Sequence, residues 1–145
     1  MKKIIITVFL FCASTVLLAE ERLPGIHVFK SPTCGCCAKW VKHLEDSGFS
    51  VNVKNVDNVS DYKREAHLPY SLGSCHTAFV DGYAIEGHVP ASDIKRLLTE
   101  KPDIRGLAVP GMPAGSPGME YGSRKDAYQT ISYTIEGEVA VFASH

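Results

Sequence analysis

The sequence predicts an α/β fold: a mixed sheet with helices on its faces. Three observations carry this. Strand-like and helix-like segments alternate from Gly25 to Leu98, the longest helical segment is amphipathic, and an Asp81-Gly82 pair joins two β-prone runs.

Taken in order, Ile26-His27-Val28-Phe29 is a short apolar run stopped by Ser31-Pro32, which reads as a buried strand. Cys37, Trp40, Val41 and Leu44 then fall at i, i+3, i+4 and i+7, with Lys39, Lys42, His43, Glu45 and Asp46 opposite. That spacing predicts a helix ending near Gly48. Phe49, Val51 and Val53 alternate with Ser50, Asn52 and Lys54, as in a strand with one buried face. Ser60 reads as the N-cap of a short polar helix reaching about His67, stopped by Pro69. Thr77–Val80 and Tyr83–Gly87 form a hairpin about Asp81-Gly82, and Ala91–Leu98 closes the unit as a helix. The order β-α-β-α-β-β-α is a thioredoxin-like arrangement.

Beyond Lys101 the texture changes. Leu107–Glu120 contains Pro110, Pro113, Pro117 and the methionines Met112 and Met119 among glycines, and reads as a long loop without regular secondary structure. Tyr128–Ser144, around Glu136-Gly137-Glu138, reads as a β-hairpin appended to the same domain.

The chain opens with Met1-Lys2-Lys3, an apolar run from Ile4 to Leu18, and Ala19, the layout of a secretory signal peptide cleaved near Ala19. The run is shorter than the ~20 residues of a bilayer-spanning helix. Cys12 lies within it after Phe11 rather than a small residue, so a lipoprotein site is not indicated. Residues 20–145 are expected to form one exported domain, periplasmic and free of the membrane after cleavage. Loss of Lys2 and Lys3 lowers the 15 basic residues to 13 against 16 acidic ones. That mildly acidic balance, without charge runs, excludes nucleic acid as an expected partner.

Three cysteines crowd into Cys34-Gly35-Cys36-Cys37, where a strand hands over to a helix. Free N–H groups and the positive end of the helix dipole favour thiolate there. Thiolate is both nucleophile and metal ligand, so Cys34 and Cys37 could be catalytic in thiol–disulfide exchange. Such exchange needs only the outer pair; the third thiol suits a soft metal. Cys75-His76 is the second constellation, similar to the glutaredoxin stretch in which a proline precedes the third strand. On that pattern His76 takes the proline position and Cys75 faces the other sulfurs. A Cys36–Cys75 disulfide is the structural alternative.

Crowded thiolates suit several bridged Cu(I) ions, each content with two or three soft ligands, better than a zinc site built from two separated knuckles. The metal-ligand candidates are Cys34, Cys36, Cys37, Cys75, His76, Met112, Met119 and His88. Met112 and Met119 could instead fill apolar gaps. His27 reads as structural, His43 and His67 as solvated, and His145 as terminal; Lys30 and Lys39 flank the cysteines and could favour thiolate.

These residues carry a resemblance. Ser31-Pro32-Thr33-Cys34-Gly35-Cys36-Cys37, Ser74-Cys75-His76-Thr77, Gly106-Leu107-Ala108-Val109-Pro110-Gly111-Met112-Pro113 and Gly115-Ser116-Pro117-Gly118-Met119-Glu120 resemble the exported CopG-like proteins. The resemblance implies a thioredoxin-like fold, a periplasmic location and a part in copper resistance through a copper-thiolate site. Copper as Cu(I), with Cu(II) as its other oxidation state, is the expected cofactor, and a periplasmic copper donor, acceptor or electron donor the expected partner. The competing expectation is a protein thiol–disulfide oxidoreductase using Cys34 and Cys37.

Overall fold

A computed structural model describes residues 22–145. The expected signal peptide at residues 1–19, with Cys12, lies outside the described residues. Strand β1 (Ile26–Lys30) leads into helix α1 (Gly35–Asp46), followed by β2 (Val51–Asn55) and α2 (Ser60–Glu65). A 3-10 turn at Tyr70–Leu72 precedes the hairpin β3 (His76–Val80) and β4 (Tyr83–Gly87), then α3 (Ala91–Glu100). Strands β5 (Gly106–Val109), β6 (Gln129–Tyr133) and β7 (Val139–Ser144) complete the chain.

All seven strands share one sheet, in the order β2-β1-β3-β4-β5-β6-β7. The β1/β2 and β4/β5 pairs are parallel and the remaining pairs antiparallel, so the sheet is mixed, as expected. Strand alternation divides the interior in two. Val28, Val80, Ile85, Leu107 and Val109 pack with Trp40, Val41 and Leu44 of α1 and Ile94 and Leu97 of α3. Ala84, Ala108 and Tyr133 pack on the other face with Ala66 and Leu72, beside α2 and the 3-10 turn. The periodicity expected of α1 is the one found: Cys37, Trp40, Val41 and Leu44 are its buried residues.

Three expectations are corrected. Leu107–Glu120 is not wholly irregular, because Gly106–Val109 pairs in parallel with Ala84–Gly87. All four β5 residues are buried, which erases the alternation that marks a half-exposed strand. The C-terminal hairpin is also continuous with the sheet, since β6 pairs with β5. At α2, the N-cap is Val59 rather than Ser60, whose N–H instead donates to Asn58 Oδ1.

Candidate metal centre

Cys34 occupies the N-cap of α1, and Gly35, Cys36 and Cys37 form its first turn, so three sulfurs emerge within one helical turn. No acidic residue occupies that turn to oppose thiolate. Cys75 comes from the segment entering β3, and its side chain closes the group from across the sheet end. The four sulfurs lie within 4.8 Å of one another. Cys34 Sγ is 3.5 Å from Cys36 Sγ, and Cys37 Sγ is 3.5 Å from Cys75 Sγ. Two thiolates on one tetrahedral ion, each at ~2.3 Å, stand about 3.8 Å apart, a spacing these sulfurs can offer a metal only once Cys34 and Cys37 are reduced.

In this structure Cys34 and Cys37 form a disulfide, and Cys36 and Cys75 are free. The alternative Cys36–Cys75 pairing is therefore corrected. The linked pair is the two ends of the C-x-x-C, which one helical turn brings to a Cα separation of 5.4 Å.

Behind Cys75 stand two imidazoles with no exposed surface. His76 Nδ1 lies 3.3 Å and His88 Nε2 3.2 Å from Cys75 Sγ, so His76 and His88 both join the group. The His88 ring is oriented from its far side: Nδ1–H donates to the carbonyl of Pro117 at 2.7 Å. A neutral ring that donates through Nδ1 carries its lone pair on Nε2, the atom facing sulfur. The His76 ring packs on Trp40 at a centroid distance of 4.3 Å, and its Nε2 is buried without a hydrogen-bond partner.

Burial holds both imidazoles below the ordinary histidine value; for His76 the charges of His88 and Lys63 add to it. Burial also pushes the Cys75 thiol up to about 11, with the neighbouring Cys36 charge contributing. Metal-free Cys75 therefore keeps its proton near neutrality, and an incoming ion must displace it.

The Pro/Gly/Met loop locks this assembly from outside. Gly118 has φ of +86°, and a Cβ there would meet the Cys36 carbonyl and the Trp40 amide nitrogen at 2.8 Å each. Only glycine brings the loop so close to the cysteine turn. Ser74 Oγ–H donates to the Gly111 carbonyl at 2.5 Å, joining the loop to the Cys75 segment. Met112 follows Gly111 and is 52% exposed; Met119 follows Gly118 and is half-buried.

Sequence reasoning missed the support of the Cys75 segment. Glu86 is wholly buried and accepts from Ser74 N–H at 2.6 Å, Thr77 Oγ1–H at 2.7 Å and Lys63 Nζ. A lone acid between Ile85 and Gly87 was its sequence signal. His43, expected to be solvated, instead accepts the Ala91 N–H at 3.1 Å on Nε2 and so holds the start of α3. Lys30 is buried and donates to the Ser31 carbonyl, and Lys39 lies over the Tyr121 ring, so neither is a loose flanking charge. His27 and His67 are exposed and take no part in the group. The terminal His145 contacts Asp93 rather than solvent alone.

Residues 72–119 match the family described as "Protein of unknown function, DUF411". A search of curated proteins returned no match. Among solved structures, the chain is similar to "Copper resistance protein copG- Form 2", with 49% identity, a TM-score of 0.81, and coverage of 85% of this chain and 98% of that one. It is equally similar to "Copper resistance protein copG- Form 1", at 49% identity, a TM-score of 0.80 and the same coverage.

Proposed function

Since the chain belongs to the family of the copper resistance protein CopG, we propose that it is a periplasmic copper-binding protein of copper resistance. Its reduced form holds Cu(I) on the thiolates of Cys34, Cys36, Cys37 and Cys75. The observation that carries this reading is the meeting of four sulfurs within 4.8 Å at a helix start. Each Cu(I) is content with two or three soft ligands, so four crowded sulfurs can hold several ions by sharing sulfur; the cluster is read as polynuclear, with Cys36 as the bridging thiolate that a dithiol enzyme would not need. Zinc suits the set less well, because one tetrahedral ion would satisfy all four sulfurs and leave the imidazoles idle.

The periplasmic location rests on the signal-like residues 1–19; among the described residues no helix is long and apolar enough to cross a membrane. Met112 and Met119 are proposed as thioether ligands along the entry path. Each stands one residue from a glycine that touches a cysteine-bearing segment. Copper reaches the site from a periplasmic donor, and the Cys34–Cys37 disulfide returns to the dithiol by taking two electrons and two protons from a periplasmic electron donor.

Anaerobic Cu(I) titration of the reduced protein against a competing chelator tests the proposal. More than one tightly held copper per chain is expected, with a lower number in Cys36→Ser. Less than one copper in the native protein would sink it. The Cys34–Cys37 disulfide favours one second reading, a thiol–disulfide oxidoreductase. That reading requires metal-free reduction of a protein disulfide that depends on Cys34 and is indifferent to Cys36.

A further inference from the structure

We propose that β7, the outer strand of the sheet, joins two copies of this chain edge to edge. The two strands run antiparallel about a two-fold axis at Ala140, with Val139 of each copy opposite Val141 of the other. The inference is independent of the copper reading, because no residue of the seam belongs to the sulfur and imidazole group.

The sheet ends in β2 on one side and β7 on the other, and the chain treats the two edges differently. β2 reads Val-Asn-Val-Lys-Asn, and its lysine and asparagines guard it against pairing with another chain. β7 reads Val-Ala-Val-Phe-Ala-Ser and holds neither charge nor proline, so it is an open template for a further strand. Val139 and Val141 are 57% and 55% exposed. In register they stand opposite Tyr133 and Ile131, on the sheet face that carries Ala66 and Leu72, where α2 does not reach them.

The register of the seam follows from the hydrogen bonds. Thr134 N–H donates to the Glu138 carbonyl, and opposed residues of an antiparallel pair alternate between bonded and unbonded. Ala140 therefore bonds inward to Ser132, while Val139 and Val141 turn their N–H and C=O groups outward. The open edge stops at Phe142, whose carbonyl already accepts from the Arg96 guanidinium of α3. Pairing centred on Ala140 uses both open residues of both copies, exchanging both N–H···O bonds at each Val139–Val141 pair. A shift either way would set an open residue against the turn or against the capped end.

The same register brings opposite charges together. Glu138 precedes Val139, so its side chain takes the other face, the one on which Phe142 packs beside α3. It falls opposite Phe142 of the second copy, whose ring lies 3.7 Å from that copy's Arg96 guanidinium. Glu138 is exposed and, among the described residues, pairs with no cation, while Arg96 has only a 3.7 Å contact with Glu100. A Glu138–Arg96 pair thus forms on each side of the axis. On the opposite face the valines meet as cross-strand neighbours and supply the apolar contact. A seam one strand long falls short of the ~1,600 Å² of a standard interface, so dissociation in the micromolar range is expected.

The test is sedimentation equilibrium of the protein freed of residues 1–19, metal-free and kept reduced so that thiols cannot link copies. A monomer–dimer equilibrium is expected, weakened at least about tenfold in Val141→Lys, which places a charge on the open edge. Glu138→Arg and Arg96→Glu should each weaken it at least about threefold, because like charges then meet on both sides of the axis. Mixed in equal amounts, these two variants should dimerise with each other more tightly than either does with itself, since every Glu again meets an Arg. Unfolding transitions establish that each variant is folded, and Val139→Lys, at an equally exposed position, replaces Val141→Lys if that chain is not. A protein that stays monomeric at millimolar concentration would overturn the proposal. So would a dimer untouched by the valine variants, or a charge-swapped mixture no tighter than its components.

Discussion

The Cys34-Gly35-Cys36-Cys37 turn sits at a helix start with Cys34 and Cys36 half-exposed, whereas His76 and His88 lie wholly buried behind Cys75. The first region can meet oxidants, reductants and incoming ions, and two of its sulfurs are joined as a disulfide. The second is shielded, and each ring is fixed by protein: His88 by the Pro117 carbonyl, His76 by Trp40. Sulfur that solvent can reach lies at the surface, and rings held in one direction lie inside. Cys75 is the shared member.

The sharpest way to break the comparison is Cys75→Ser, which removes the shared donor. Cu(I) held by the reduced protein is expected to weaken at least about 100-fold, which corresponds to about 2.7 kcal/mol. A competition titration checks it; unchanged Cu(I) affinity would take Cys75 out of the ligand set. The next largest effect is expected of Gly118→Ala. Its Cβ would collide with the Cys36 carbonyl and the Trp40 amide at a left-handed backbone position, costing about 1–3 kcal/mol in chemical denaturation. Metal binding by both regions should fall together, because the loop touches each.

A pH series separates the two regions. Burial depresses His76 and His88 below 6.5 in the folded protein, so their neutral forms contribute stability that is present above that value and lost as pH falls through it. The thermal midpoint of the metal-free protein should therefore drop from about pH 7 to about pH 5, and the drop should shrink in His76→Phe. An equal drop in that variant would assign the acid sensitivity elsewhere. The smallest effect is expected of Ser74→Ala, which loses the hydroxyl donated to the Gly111 carbonyl. About 0.5–1.5 kcal/mol of stability should go, with metal stoichiometry unchanged; a loss of copper would give Ser74 a direct part in the site.

Much of this was legible in the chain because it is written in local spacing. The buried face of α1 follows from four residues at helical intervals, and the β3–β4 hairpin from Asp81-Gly82. The cysteine group was legible too, since three of its members are neighbours and the fourth stands where the fold turns back toward them. Long-range pairing hid the rest. Nothing local announces that Gly106–Val109 is a strand, since burial on both faces removes its alternation and prolines follow at once. The ligand-ready posture of His88 depends on a carbonyl 29 residues away, and the role of Glu86 on three donors from two other segments. His43 looked solvated because its partner, the Ala91 N–H, lies on another helix.

The Pro117-Gly118 dipeptide has a mechanical consequence. One peptide carbonyl grips an imidazole, and the next residue rests on the first turn of α1. The pair acts as a strut of fixed length between the outer sulfurs and the inner nitrogens. A change in the length or course of this segment would therefore reach the cysteine turn and the His88 ring together. The half-exposed sulfurs and the buried imidazole thus share one rigid support.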